Sequence, residues 1–227
     1  MTLELENVVI TGRTFEEYSS FFDLKSEDLK EKKILDCPSG ASSFVSIANK
    51  NGSFVTGVDL IYEFDKNSIE TQGYKTIEKI YQDTSWMDVY KMDFYKSKEN
   101  HRNHRENALK TFASDFNKKD YIFAKLPNLP FENNYFDLAL SSHLLFVYDN
   151  MLDYEFHKNS ILEMLRVSKE VRIFPLVDFK NSRVLEEKNF SPFLYKIVEE
   201  LKDFKCDIVK VDFEFQPKAN YYLKIIK

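Results

Sequence analysis

The chain has 227 residues, of which 43% are hydrophobic and 15% aromatic, enough for a single domain with a substantial core. Its net charge of −5 argues against a dedicated nucleic-acid surface, because such surfaces are basic. The two cysteines, Cys37 and Cys206, make no disulfide framework or zinc site, and no run approaches the roughly 20 apolar residues of a membrane span, so a cytoplasmic protein with no metal and no membrane contact is expected.

The N-terminal sequence Met1–Glu6 is acidic and carries no basic region leading into an apolar run. Residues 14–30 read as short helical pieces, so that 1–32 forms a helical cap. Strands and helices then alternate, the pattern of a mostly parallel sheet covered on both faces. Ile34–Cys37 reads as the first strand, with a helix after Gly40 to about Lys50, and Phe54–Asp59 as the second. Tyr121–Ala124 is the third strand and Phe136–Leu140 the fourth. The stretch from about 66 to 117 is too long for an ordinary crossover. It reads as a helical insertion, with Trp86, Met87, Tyr90, Met92 and Tyr95 between two helical segments, and insertions of this kind form substrate lids.

A helix from about Asp153 to Ser168 has Ile161, Met164, Leu165 and Ser168 on one face. Glu170–Pro175 is the fifth strand, and Ser191-Pro192 marks a helix start whose apolar stripe is Phe193, Ile197, Leu201 and Phe204. Two late strands, about 206–214 and 220–226, straddle Gln216–Ala219 as an antiparallel edge hairpin.

Glycine is scarce, so Gly40 in Leu35-Asp36-Cys37-Pro38-Ser39-Gly40-Ala41-Ser42-Ser43 carries positional information. A strand turning here into a helix presents backbone N–H groups to an anionic ligand, although Pro38 donates none. Asp59 ends the second strand, where an acid accepts hydrogen bonds from both ribose hydroxyls of an adenosine; capping a following helix is the plainer role. His143 follows the fourth strand at the carboxyl edge of the sheet and is a candidate substrate or base residue, with the Tyr148 hydroxyl nearby. His157 reads as a structural histidine. Gln216 and Asn220 read as turn chemistry, with reach into the site from the edge hairpin as the alternative, and the basic group His101, Arg102, His104 and Arg105 as a solvated helix face, with a surface for an anionic substrate or partner as the alternative.

The stretch Leu129-Pro130-Phe131 followed by Phe136-Asp137-Leu138-Ala139-Leu140, together with the Asp36–Gly40 turn and the acid-ended second strand, resembles the class I S-adenosylmethionine-dependent methyltransferases over residues 33–176. A nicotinamide-binding domain lacks that order. A closer resemblance, carried by Leu35–Gly40, Ser142–Phe146, Asp153–His157, Glu170–Leu176 and Glu214–Gln216, is to a bacterial subfamily known only as methyltransferase-like.

The resemblance implies a Rossmann-like α/β fold, with a mostly parallel seven-stranded sheet, an antiparallel C-terminal edge hairpin and helices on both faces. It implies S-adenosylmethionine as cofactor, with Asp36, Ser39, Gly40, Ala41 and Ser42 around its methionine part, Asp59 on the ribose, Leu60 beside the adenine, and Leu126 and Ser141 also in the site. Lys125 stands where the family commonly has an acid that reads the adenine amino group, and the usual glycine pattern is incomplete. The expected activity is methyl transfer to a small molecule. The alternative is a non-catalytic binding or scaffold protein on the same fold. Either way, Gly40 and Asp59 are expected to face one crevice, with room for an adenosyl group between them. The sequence sets no oligomeric state.

Overall fold

The computed structural model describes residues 9–177 and 190–227. Residues 1–8, the start of the expected cap and the site of the acidic N-terminus, lie outside these ranges. A seven-stranded sheet organises the chain: β1 (Lys33–Asp36), β2 (Phe54–Asp59), β3 (Tyr121–Phe123), β4 (Phe136–Ser142), β5 (Ser168–Phe174), β6 (Lys205–Lys210) and β7 (Tyr221–Ile226). The spatial order is β3-β2-β1-β4-β5-β7-β6. Strands β1 to β5 run parallel, and β7 lies antiparallel between β5 and β6. This is the Rossmann-like methyltransferase fold.

The central strands read as near-continuous apolar runs because both faces of the sheet are covered. In β1, Ile34 joins an apolar cluster with Phe22, Phe44 and Phe112, while the next residue, Leu35, joins one with Ala139, Ile161 and Leu194. Successive side chains of a strand point to opposite faces, so the two clusters are the two layers of core.

Each helix start has a local cause. Helix α1 (Phe15–Phe22) opens with a capping box, in which Thr14 Oγ1 accepts from Glu17 N–H at 3.3 Å and the Glu17 carboxylate accepts from Thr14 N–H at 2.7 Å. A short turn, α2 (Ser26–Leu29), leads into β1, and α3 (Phe44–Lys50) follows it. Asp65 caps α4 (Lys66–Tyr81), Ser97 caps α5 (Lys98–Asp115) and Asp153 caps α6 (Tyr154–Val167). Helix α7 (Phe193–Glu200) starts just past Ser191, whose hydroxyl accepts from Phe193 N–H at 3.3 Å and donates to Asp149 at 2.8 Å.

The hairpin differs from its expected form. Strand β6 ends at Lys210, not near residue 214: Val211 N–H still donates to Asn220 O, and Phe213 beyond it buries among aromatic side chains of the core. The segment 211–220 is therefore a long loop folded over the carboxyl edge of the sheet. Helices α4 and α5, with a 3-10 turn at Ser85–Val89 between them, make up the insertion between β2 and β3. Among the described residues, no helix is long and apolar enough to cross a membrane.

Candidate functional site

The strand order reverses between β1 and β4, so their carboxyl ends splay apart and open a crevice where ligands of such sheets bind. The turn after β1 reaches this crevice. Gly40 sits there at φ +56°, in the left-handed region, with no atom within 4 Å of where a Cβ would stand. Its N–H donates to Asp59 Oδ2 at 2.8 Å, and Ile61 N–H donates to Asp59 Oδ1 at 3.1 Å. The Tyr62 hydroxyl donates to Gly40 O at 2.6 Å, fixing the turn from the other side. Burial raises the Asp59 carboxyl above its ordinary value, against the lowering effect of the Ile61, Gly40 and Leu60 N–H groups.

A cavity of about 370 Å³ extends from this point under the insertion, the size of a small-molecule site. Ser39, Gly40 and Asp59 line it, as do His143 and Tyr148. Opposite them the wall is aromatic: Trp86, Tyr90 and Tyr95 from the insertion, and Phe213 and Phe215 from the loop after β6. The Tyr90 and Phe215 rings stack at 4.8 Å, and Phe215 stacks on the His101 ring at 4.7 Å.

His143 has the left-handed φ of +59°, held by its own N–H donating to Phe174 O at 2.7 Å. Its Nδ1 shares a 2.7 Å hydrogen bond with the Ser142 hydroxyl, and its ring packs against Phe21 and Phe174. Burial, reinforced by the charge of Arg13, holds the imidazole well below the usual histidine value, so it is neutral at pH 7. Where Nδ1–H donates to Ser142, Nε2 is left as a proton acceptor.

The remaining residues implied by the resemblance lie behind the cavity or away from it. Asp36 is fully buried, accepting from Tyr18 Oη at 2.9 Å and Ser39 Oγ at 2.6 Å, with burial pushing its carboxyl up to about 7. It positions Ser39 and Tyr18, which do line the cavity. Ala41 and Ser42 are buried in the turn, where Gly12 passes so close that a Cβ would stand 2.0 Å from Ala41 O. Ser141 is fully buried with an unpartnered hydroxyl, Leu126 packs in the core beside Leu129 and Phe136, and Leu60 begins the 3-10 turn after β2. Gly40 and Asp59 do face one cavity, but they are bonded to each other, leaving no gap between them. A ligand must lie across the pair.

Several cavity residues escaped the sequence reading. Arg13, just before the capping box of α1, lines the cavity. The basic run on α5 is not a solvated face. Only Arg102 behaves that way, pairing with Glu78 and Glu106. His101 is buried, shares a 2.5 Å hydrogen bond with the Tyr81 hydroxyl, and is held down to about 2 by burial and then by Arg105.

Arg105 is buried too. It donates to Gly12 O at 2.5 Å, to the Glu17 carboxylate and to Tyr95 Oη at 3.2 Å, while its Nε has no partner. Glu17 is wholly buried; burial disfavours its charge, but Arg105 and then Arg13 override this and bring its carboxyl to about 2. Gln216, expected first to shape a turn and only second to reach the site, lines the cavity with a buried Nε2 that has no partner among the described residues, although its backbone carbonyl accepts from Ala219 N–H. Asn220 is buried and its carbonyl accepts from Val211 N–H. His157 is fully buried, its Nδ1 2.8 Å from Asp153 O and its Nε2 unpartnered. Among the described residues, no cluster of side chains suits a metal ion.

No family model matches the chain. Among solved structures, it is similar to the N-methyltransferase NodS of Bradyrhizobium japonicum in complex with S-adenosyl-L-homocysteine, with TM-score 0.50 and 10% identity over 93% of this chain and 86% of that one. It is also similar to the PH0226 protein of Pyrococcus horikoshii, with TM-score 0.47 and 15% identity over 93% and 86% of the two chains. At such identities the likeness to NodS concerns the fold. In sequence, the chain is 37% identical to the uncharacterized protein MJ0045 of Methanocaldococcus jannaschii, over 98% of each chain. That relative is archaeal, so the expected bacterial subfamily gains no support. With this identity sustained from end to end, the chain belongs to the same family as the archaeal protein MJ0045.

Proposed function

We propose that this protein is an S-adenosylmethionine-dependent methyltransferase acting on a small molecule. The observation that carries the reading is the continuity of one cavity, from the Gly40–Asp59 pair at the switch point of the sheet to the aromatic wall under the insertion. The cofactor fits the first end: the space before Gly40 is open, and each Asp59 oxygen keeps a lone pair beyond the N–H it already accepts. Asp59 would hold the ribose hydroxyls, and Ser39 and Gly40 would border the methionine part.

S-adenosylmethionine supplies a methyl group already activated on a sulfonium. The protein's share of the reaction is then to orient the acceptor, exclude water and manage a proton. The aromatic wall orients and excludes. His143, neutral at pH 7, takes the proton at Nε2 when the acceptor arrives protonated, with Ser142 holding the ring. Tyr148 lines the same cavity.

A second reading, a non-catalytic protein on this fold, is favoured by one observation: both Asp59 oxygens already accept backbone N–H groups, while Leu126 is packed in the core. Titration calorimetry with S-adenosylhomocysteine tests the cofactor. Binding is expected, and Asp59→Ala should weaken it at least about 30-fold, the loss of about 2 kcal/mol expected when hydrogen bonds to a charged acceptor go. No heat of binding from the folded protein would remove the methyltransferase reading. Binding without methyl consumption across a pool of small acceptors would favour the second.

A further inference from the structure

Among the described residues, the aromatic end of the cavity holds two guanidiniums, Arg13 and Arg105, against one ion-paired acid, Glu17. Arg105 takes that acid, with a direct ion pair in which both side chains are at most 2% exposed. Among the described residues, no carboxylate, carbonyl or hydroxyl accepts from the Arg13 guanidinium, and burial together with Arg105 acts against its charge. The two histidines on this wall add no charge at pH 7, since burial keeps both neutral. Asp59, also on the cavity, is engaged by the N–H groups of Gly40, Leu60 and Ile61. Arg13 acts on Glu17 and also on Tyr95, His101 and His143, which line the same cavity.

Arg13 is half-buried, and burial already works against its charge, so a guanidinium with no acceptor facing a cavity suits an anion that arrives from outside. Two buried donors that line the same cavity, Gln216 Nε2 and Arg105 Nε, also lack acceptors among the described residues. The rest of the wall is flat. Tyr90, Phe215 and His101 form a continuous stack, with Trp86 edge-on to it. An aromatic box alone would suit a cation, but the excess guanidinium beside it repels one.

We propose that the methyl acceptor is a small planar carboxylic acid, its carboxylate held by Arg13 and its ring laid against the Tyr90–Phe215–His101 stack. This rests on the methyltransferase reading only for the word acceptor; the anion site itself stands on the wall. Arg13 is then a residue that fixes specificity by charge, since a guanidinium presents two parallel N–H groups to a carboxylate. Neutral analogues of the same shape leave it unpaired.

The test compares 4-hydroxybenzoate with 4-hydroxybenzamide, equal in shape and unequal in charge, by titration calorimetry on the full chain with and without saturating S-adenosylhomocysteine. The acid should bind at least about 10-fold more tightly than the amide, the worth of one charge-assisted contact. Arg13→Gln should reduce the acid to the level of the amide, and S-adenosylhomocysteine affinity should stay within about 2-fold. Equal binding of acid and amide to the wild type, or binding of neither, overturns the proposal without any variant. A loss of S-adenosylhomocysteine affinity in Arg13→Gln with the acid unaffected also overturns it, by assigning Arg13 to the carboxylate of the cofactor. If S-adenosylhomocysteine fails to bind while the acid binds through Arg13, the anion site stands and the methyltransferase reading falls.

Discussion

Replacing Glu17 by glutamine keeps the shape of the side chain and removes its charge, leaving Arg105 and Arg13 without a counter-charge in the wall between α1 and α5. The pair is buried on both sides, Arg105 at 2% and Glu17 at 0% exposure, so solvent does little to screen it. The Glu17 carboxyl is lowered from the usual 4.5 to about 2, a difference worth about 3 kcal/mol in favour of the folded state. Removing one partner of a buried pair typically costs about 3–5 kcal/mol, which agrees. For a chain of this size, Tm should fall by roughly 6–20 °C.

The pH dependence gives the sharper test. A carboxylate whose value is depressed in the fold stabilises fully above its unfolded value and loses that contribution as pH falls toward its folded one. The stability gap between wild type and Glu17→Gln should therefore be constant above about pH 5 and shrink from about pH 4.5 toward about 2. Chemical denaturation followed by circular dichroism at several pH values measures it. A gap below about 1 kcal/mol at pH 7, or one that does not narrow in acid, would refute the assignment of Glu17 as the charge that holds Arg105.

Gly40→Ala places a Cβ into open space but at φ +56°, so only backbone strain, about 1–2 kcal/mol, should appear in denaturation. On the proposed reading, S-adenosylhomocysteine affinity should fall by at least about 10-fold in calorimetry, because the new methyl would stand where the proposed ligand crosses the turn. His101, whose folded value is about 2 against the usual 6.5, takes up a proton only when the chain unfolds. Wild-type stability should then drop by about 2 kcal/mol between pH 6.5 and 5 on its account, and His101→Gln should flatten that part of the curve.

The sheet was legible because its signals are local and repeated. Phe54–Asp59 and the helix from Asp153 could be placed from apolar runs and helical spacing alone, and the Leu129–Asp137 stretch tied them to a known strand order. The β6 end was misplaced because Val211 and Phe213 alternate like a strand, yet Phe213 buries against aromatics that come from α1, the insertion and β5. Nothing in their own neighbourhood reveals that. The basic run on α5 misled for the same reason. His101 and Arg105 are four residues apart and so share a helix face, which is visible in sequence; that this face turns inward depends on Glu17, 88 residues earlier. Arg13 offered one usable signal, its place directly before the Thr14–Glu17 capping box, where the chain entering a helix must pass close to whatever the helix packs on.

These long-range contacts also explain why the two ends of the cavity differ in how they were built. The Gly40–Asp59 end is made by two adjacent strand ends, held by backbone donors, and any sequence that forms β1 and β2 in register largely forms it. The aromatic end needs three separate segments to meet: the chain before α1, the insertion and the loop after β6. Arg105 joins the first two by binding Gly12 O and Glu17 at once, and Lys91 joins the insertion to the third through its ion pair with Glu214 and through its N–H, which donates to Phe215 O at 2.7 Å. On the proposed reading, substrate choice falls on the parts of the chain that the sheet does not dictate. A change of acceptor among relatives should appear at Arg13, Tyr90, Phe215 and Gln216, while Gly40 and Asp59 stay fixed, and an alignment in which the first set is invariant and the second varies would contradict this division.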